Sequence, residues 1–238
     1  MNIDKKVVKD LEKCIDIQKK EIFPRFFKTG KGEYGEGDIF WGITVPNIRN
    51  ISKRYYKEIS LDEVKELIQS PIHEIRLTGY LILTYKYEKA SIQGKKEIVS
   101  FYLKNLKGIN NWDIVDLSCY KILGMGIVEN ILEKDILYTL VKSKNMWERR
   151  ISIVSTYVLI KRDMYEDTLK ISKILLEDTS DLIQKAVGWM LREVGKQNID
   201  VLREFLDINM KYMGRITLRY AIEKMDEKER KKYLICSK

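Results

Sequence analysis

The amino-acid sequence predicts an all-α protein, and three observations carry that prediction. Three prolines and 13 glycines in 238 residues leave little punctuation for a chain of short strands. Alternating apolar and polar runs bounded by turn dipeptides are almost absent. Apolar residues instead recur at helical spacing along the whole chain, in roughly a dozen segments of ordinary helix length joined by short loops.

Taken in order, the elements justify themselves locally. Val7, Val8, Leu11, Cys14 and Ile15 recur at the spacing of one helical face near the start. The stretch TGKGEYGEGD, residues 29–38, holds four glycines in ten positions. It follows a helix rather than a strand and has no GKS or GKT ending, which argues against a nucleotide-phosphate loop. It reads as a flexible connector, with contact to a nucleic-acid backbone through Lys28 and Lys31 as the alternative. Pro46 and Pro71 suit first-turn positions. Ser60 and Glu63 have capping-box spacing ahead of the periodic Leu61, Val64, Leu67 and Ile68. Ser180 and Asp181 open a further helix.

Composition narrows the function. The chain is 45% hydrophobic, yet no apolar run approaches the ~20 residues of a membrane helix. The segment MNIDKKVVKDLEKC lacks a signal-peptide core, so a soluble, intracellular protein is expected, without a membrane partner. Cys14, Cys119 and Cys236 are odd in number and unpaired in spacing, as expected of reduced thiols. A single histidine, His73, disfavours a histidine zinc site and histidine-based nucleophilic triads. Neither a metal nor a cofactor is expected. The net charge of +9, from 44 Lys+Arg against 35 Asp+Glu, fits either a polyanionic partner or a merely lysine-rich solvated surface.

A repeat organises the helices. HEIRLTGYLIL (73–83), WERRISIVSTYVL (147–159) and IQKAVGWML (183–191) each begin polar, place a basic side chain early and then run apolar and small. Aligning Arg76, Asp113, Arg150, Lys185 and Arg219 gives spacings of 37, 37, 35 and 34 residues, a period suited to HEAT-like helix pairs stacked in a solenoid. The expected fold is a right-handed superhelical solenoid forming one domain over 1–238. Its N-terminal helices (1–45) act as a cap, and a concave face is lined by this row. Four of the five residues in the row are basic, and Asp113 is the odd member.

Three segments ask for more than packing: NNWDIVD (110–116), WERR (147–150) and KAVGWMLREVGK (185–196). Trp112 and Asp116 are i and i+4 and share a helical face. Trp189 follows Ala186 and Gly188, a small-residue setting that lets a ring project or a backbone approach. Arg192 and Lys196 continue from it at i+3 and i+7. Aromatic rings beside such cations suit a nucleic acid, with charge on phosphates and ring faces on sugars or bases.

With GITVPNIRNISKRY (42–55) and RITLRYAIEK (215–224), these segments form an ordered set that resembles the AlkD-like DNA alkylation repair glycosylases over nearly the whole chain. The resemblance implies excision of N3- or N7-alkylated purines from duplex DNA. It implies active-site tryptophans at Trp112 and Trp189, a catalytic aspartate at Asp116, a phosphate-holding arginine at Arg150 and a cleft aromatic at Phe26. Arg149, Lys185, Arg192 and Arg219 complete the expected DNA-binding set. A monomer is expected for want of a coiled-coil seam, and a cytoplasmic, nucleoid-associated location follows from DNA binding. A non-catalytic DNA-binding solenoid and a protein-interaction scaffold are the competing readings. Asp113 is expected to serve its helix start, His73 to lie at the surface or a helix start, and Trp41 and Trp147 to pack.

Overall fold

The computed structural model describes residues 2–236, the side chain of Cys236 excepted, so the expectation for that thiol lies outside the described residues. Cys14 and Cys119 are not part of a disulfide. The described residues form helices and turns. The β geometry among them is one isolated parallel bridge between Ile39 and Ile72. None of their helices is long and apolar enough to cross a membrane. The chain divides into two compact units, Met1–Ser118 and Cys119–Lys238.

In the first unit α1 (Ile3–Glu12), α2 (Ile17–Phe26), α3 (Val45–Tyr55), α4 (Leu61–Ile68), α5 (His73–Lys89) and α6 (Ile92–Lys104) lead to α7 (Trp112–Cys119). Pro46 sits in the first turn of α3, while Pro71 falls two residues ahead of α5. The expected capping box closes α4: Ser60 accepts the Glu63 amide and the Glu63 carboxylate accepts the Ser60 amide. Helix α1 buries Val7 and Leu11 but ends before Cys14 and Ile15.

Helix α5 is the core of this unit. It buries Ile75, Leu77, Tyr80, Leu81, Ile82 and Leu83, with α3 and α4 packed on it. Gly79 lets α4 approach, since a Cβ there would meet Ile68 Cγ1 at 2.9 Å. Its first turn is polar yet buried. Glu74 is 1% exposed, and its carboxylate accepts the amides of Trp41, Gly42 and Ile43 at 2.8–3.1 Å. Gly42 makes this possible. Its φ of +81° and its contact with the Asp16 carbonyl would both oppose a side chain.

The 29–38 segment departs from the flexible connector expected of it. It is a run of hydrogen-bonded turns, with Thr29, Glu33, Gly35 and Asp38 amides bound at 3.0 Å to Pro24, Gly30, Lys28 and Gly35 carbonyls. At its end the His73 amide donates to the Ile39 carbonyl at 2.8 Å. Its glycines satisfy turn geometry, with Gly32 and Gly37 both at φ +79°.

In the second unit a π turn (Tyr120–Gly124) continues α7 into α8 (Met125–Val128). Helices α9 (Asp135–Leu140), α10 (Met146–Ser155), α11 (Tyr157–Ile160), α12 (Glu166–Leu175), α13 (Asp181–Gln197), α14 (Ile199–Asn209), α15 (Arg215–Ala221) and α16 (Glu227–Cys236) follow. Helix α13 is the central element. Ile183, Ala186, Val187, Met190, Leu191 and Val194 form its buried stripe, and α10 and α15 pack on it. Gly188 is where a backbone approaches, as its surroundings suggested. A Cβ there would lie 2.5 Å from Tyr220 Cβ and 2.6 Å from the Thr217 carbonyl of α15. The expected core role of Trp147 holds, at 8% exposed.

Candidate functional site

The first turn of α7 is built around charge. Asn111, fully buried, accepts the Trp112 amide at 2.9 Å. Asp113 accepts the Ile114 amide at 2.8 Å and places its other oxygen 2.8 Å from His73 Nε2. The opposite ring nitrogen of His73 lies 3.0 Å from Asp38. Arg76 donates to Asp38, and to Asn110 Oδ1 at 2.8 Å and the Ser70 carbonyl at 2.9 Å. One network therefore ties the end of the 29–38 segment, the start of α5 and the start of α7.

His73 is 1% exposed and Asp113 5%. The histidine does stand at a helix start but not at the surface, and Asp113 is the buried partner of an imidazole rather than only a helix-end residue. Burial alone would disfavour the imidazolium, but Asp113 and then Asp38 outweigh it and raise the His73 pKa to about 9. For Asp38, burial favours the neutral acid, yet His73 and Arg76 hold its pKa below the usual carboxylate value. His73 is thus a buried cation between two carboxylates. Among the described residues no group of three or more His, Cys, Asp or Glu side chains is arranged to hold a metal ion.

Trp112 rests on an aromatic stack above this network. Phe27 stacks on Trp112 at 5.5 Å between centroids and on Phe40 at 4.6 Å, and Phe40 stacks on His73 at 4.5 Å. Phe26, 60% exposed, meets Trp112 edge-on at 6.1 Å. Asp116 follows Trp112 by one turn on the same face, and both are half-buried. Ser118 and Cys119, on the inward side, are fully buried. Phe26, Trp112 and Asp116 are the three expected site residues of this unit.

The remaining expected residues belong to the second unit. Arg149 is held by Asp178 at 2.7 Å and by the Ser143 and Lys144 carbonyls at 3.0 and 3.1 Å. Arg150 is 5% exposed and donates to the Leu182 carbonyl in the first turn of α13. Lys185 and Trp189, i and i+4 on α13, are half-buried. Tyr157 lies 6.0 Å from Trp189, and Tyr120 5.2 Å from Tyr157. Arg192 pairs with Glu223, Lys196 pairs with Glu193 at 2.6 Å, and Arg219 is exposed.

The row of repeat-equivalent residues is therefore not a uniform basic face. Arg76, Asp113 and Arg150 are buried, and each reaches another element of its own unit, whereas Lys185 and Arg219 keep access to solvent. Sequence reasoning missed Asp38, His73, Phe27, Phe40 and Tyr157. A signal was present for one pair: an acid standing alone in a basic row, and the only histidine, are each other's partner.

A family described as DNA alkylation repair enzyme matches residues 7–225. The chain belongs to the DNA alkylation repair enzyme family. Membership makes alkylated-DNA repair its field and DNA its substrate. Solved structures agree in fold. A predicted DNA alkylation repair enzyme from Enterococcus faecalis is 18% identical, with a TM-score of 0.70 over 89% of this chain and 97% of its own. AlkD2 from Streptococcus mutans is 17% identical, with a TM-score of 0.58 over 88% and 98%. The Streptococcus mutans protein smu.31 is 18% identical, at 0.57 over 76% and 93%. No curated protein sequence matches the chain.

Proposed function

We propose that this family member is a DNA glycosylase that hydrolyses the N-glycosidic bond of N3- and N7-alkylated purines in duplex DNA. The observation that carries the reading is the pairing of Trp112 and Asp116 on one half-buried face of α7, with Phe26 edge-on to the indole. A purine alkylated at N3 or N7 is already cationic, so its glycosidic bond is weakened and the base departs neutral without a general acid. Positive charge then gathers on the deoxyribose as an oxocarbenium-like ion. An ionised Asp116 stabilises that ion and positions the attacking water. The Trp112 face attracts the cationic base and the polarised C–H groups of the sugar. Trp189 takes the role that the family resemblance assigns it, a second indole, while Arg150, 5% exposed and bonded to the Leu182 carbonyl, must give up that contact to take its assigned role as a phosphate clamp. The enzyme acts as a monomer.

The test is mass spectrometry of bases freed from methylated duplex DNA. Wild-type protein releases 3-methyladenine or 7-methylguanine, and Asp116→Asn slows release by about 10²–10³-fold, the scale of losing one preorganised electrostatic partner. Equal background release by both proteins returns the chain to a DNA-binding role without catalysis.

A further inference from the structure

The first unit carries a second feature, remote in character from the aromatic site. Helices α4 and α6 both lean on α5, and between them run three adjoining recesses. The largest, about 730 Å3, lies between the end of α4 and the end of α6. It shares Phe101 and Lys104 with a recess of about 410 Å3, which shares Leu61 and Glu97 with one of about 340 Å3. The floor at the inner end is made by Gly108, where a Cβ would meet the Tyr80 hydroxyl and the Ile68 backbone, so the chain drops against α4 rather than filling the channel.

The charge of this groove is one-sided. Seven lysines line it against two carboxylates, Asp62 and Glu97. Lys65, Lys104 and Lys107 gather at the inner end, Lys96 stands midway, and Lys57 and Lys86 lie at the outer end. The contrast with the arginines is direct. Arg76, Arg149, Arg192 and Arg203 are each held by a carboxylate, whereas Lys65, Lys96, Lys104 and Lys107 have no ion pair among the described residues. Partial burial pushes the Lys86 ammonium below its ordinary value. The half-buried Phe101 ring forms part of the wall between the lysines.

We propose that the α4–α6 groove binds one nucleic-acid strand, its lysines on successive phosphates and Phe101 against a sugar or base. An aromatic side chain among unneutralised cations is the arrangement that single strands use without sequence preference. The inner recess reaches Asn110, two residues before Trp112, so a strand in the groove arrives beside the start of α7. This interaction stands independently of base release.

The experiment is fluorescence anisotropy of the full-length protein with a fluorescein-labelled 15-nucleotide thymidine strand, from low to moderate salt. Wild type binds, and Lys65→Glu/Lys104→Glu/Lys107→Glu weakens binding at least about tenfold, with a salt slope shallower by about 2, as expected for three lost phosphate contacts. The same variant keeps the wild-type melting curve and the wild-type rate on a short methylated duplex. Lys96→Glu alone gives a smaller loss in the same direction. Failure of wild type to bind the strand at low salt overturns the proposal, as does an unchanged affinity and salt slope in the triple variant. Neither result bears on whether methylated bases are released, which the Asp116→Asn assay decides separately.

Discussion

Trp112 and Trp189 are supported in different ways, and the difference separates two kinds of preorganisation. Trp112 stands on stacked Phe27 and Phe40, which end on a buried imidazolium held by Asp38 and Asp113. Its position is set by ionised groups that cannot relax into water. Trp189 leans on Tyr157 and sits on α13 next to Gly188, where α15 comes into backbone contact. Its position is set by helix packing. The first arrangement is specific but depends on protonation, and the second is indifferent to pH. In the second unit the comparable ionic contact, Arg149 with Asp178, is a guanidinium pair with the arginine 20% exposed.

The largest effect expected from this contrast is on stability. Asp113→Ala leaves a buried cation short of a partner and should cost about 3–5 kcal/mol. Asp178→Ala, which opens a pair nearer to solvent, should cost about 1 kcal/mol. Denaturant midpoints of the two variants compare them directly, and equal losses would remove the distinction. The next effect is on pH dependence. The folded His73 pKa of about 9 lies above its ordinary 6.5, so this contribution is complete below pH 6.5 and is lost as pH rises through 9. Asp38, depressed in the folded state, works in the opposite sense and withdraws its contribution only on acidification below its usual 3.8. Melting temperature should fall across the alkaline window in wild type and lose that slope in His73→Gln. A slope unchanged by the substitution would place the titrating group elsewhere.

On the packing side, Gly188→Ala forces a methyl group against the α15 backbone and should destabilise by about 1–3 kcal/mol, with no added pH dependence, as calorimetry at two pH values would show. The smallest stability change belongs to Phe26→Ala. That ring is 60% exposed, so removing it should shift stability by less than about 0.5 kcal/mol. Its effect should appear instead in the intrinsic fluorescence of Trp112 and in base release. A large loss of stability would make Phe26 a packing residue.

Much of this was legible locally. The helix start at Ser60 follows from its capping box, and the start at Ser180, the buried phase of α13 and the neighbouring Trp112 and Asp116 follow from residue types and spacing, which act within a few residues. The ordered motifs pointed to the family, whose description matches residues 7–225. The 29–38 segment differs from its expectation because glycine richness signals conformational freedom equally in a mobile connector and in a tight series of turns. The exposure of the basic row differs from its expectation because charge says nothing about which cations are consumed internally.

Residue types and their periodicity alone determined that the chain is helical, where several helices begin, and that Trp112 and Asp116 share one helical face. Only the tertiary structure decided that Asp113 faces His73 across 40 residues of chain, that Arg76 and Arg150 are buried, and that lysines of α4 and α6 meet across one groove. Helical periodicity reports on neighbours three and four residues apart, whereas the protonation of a buried group depends on charges that only folding brings within hydrogen-bonding distance.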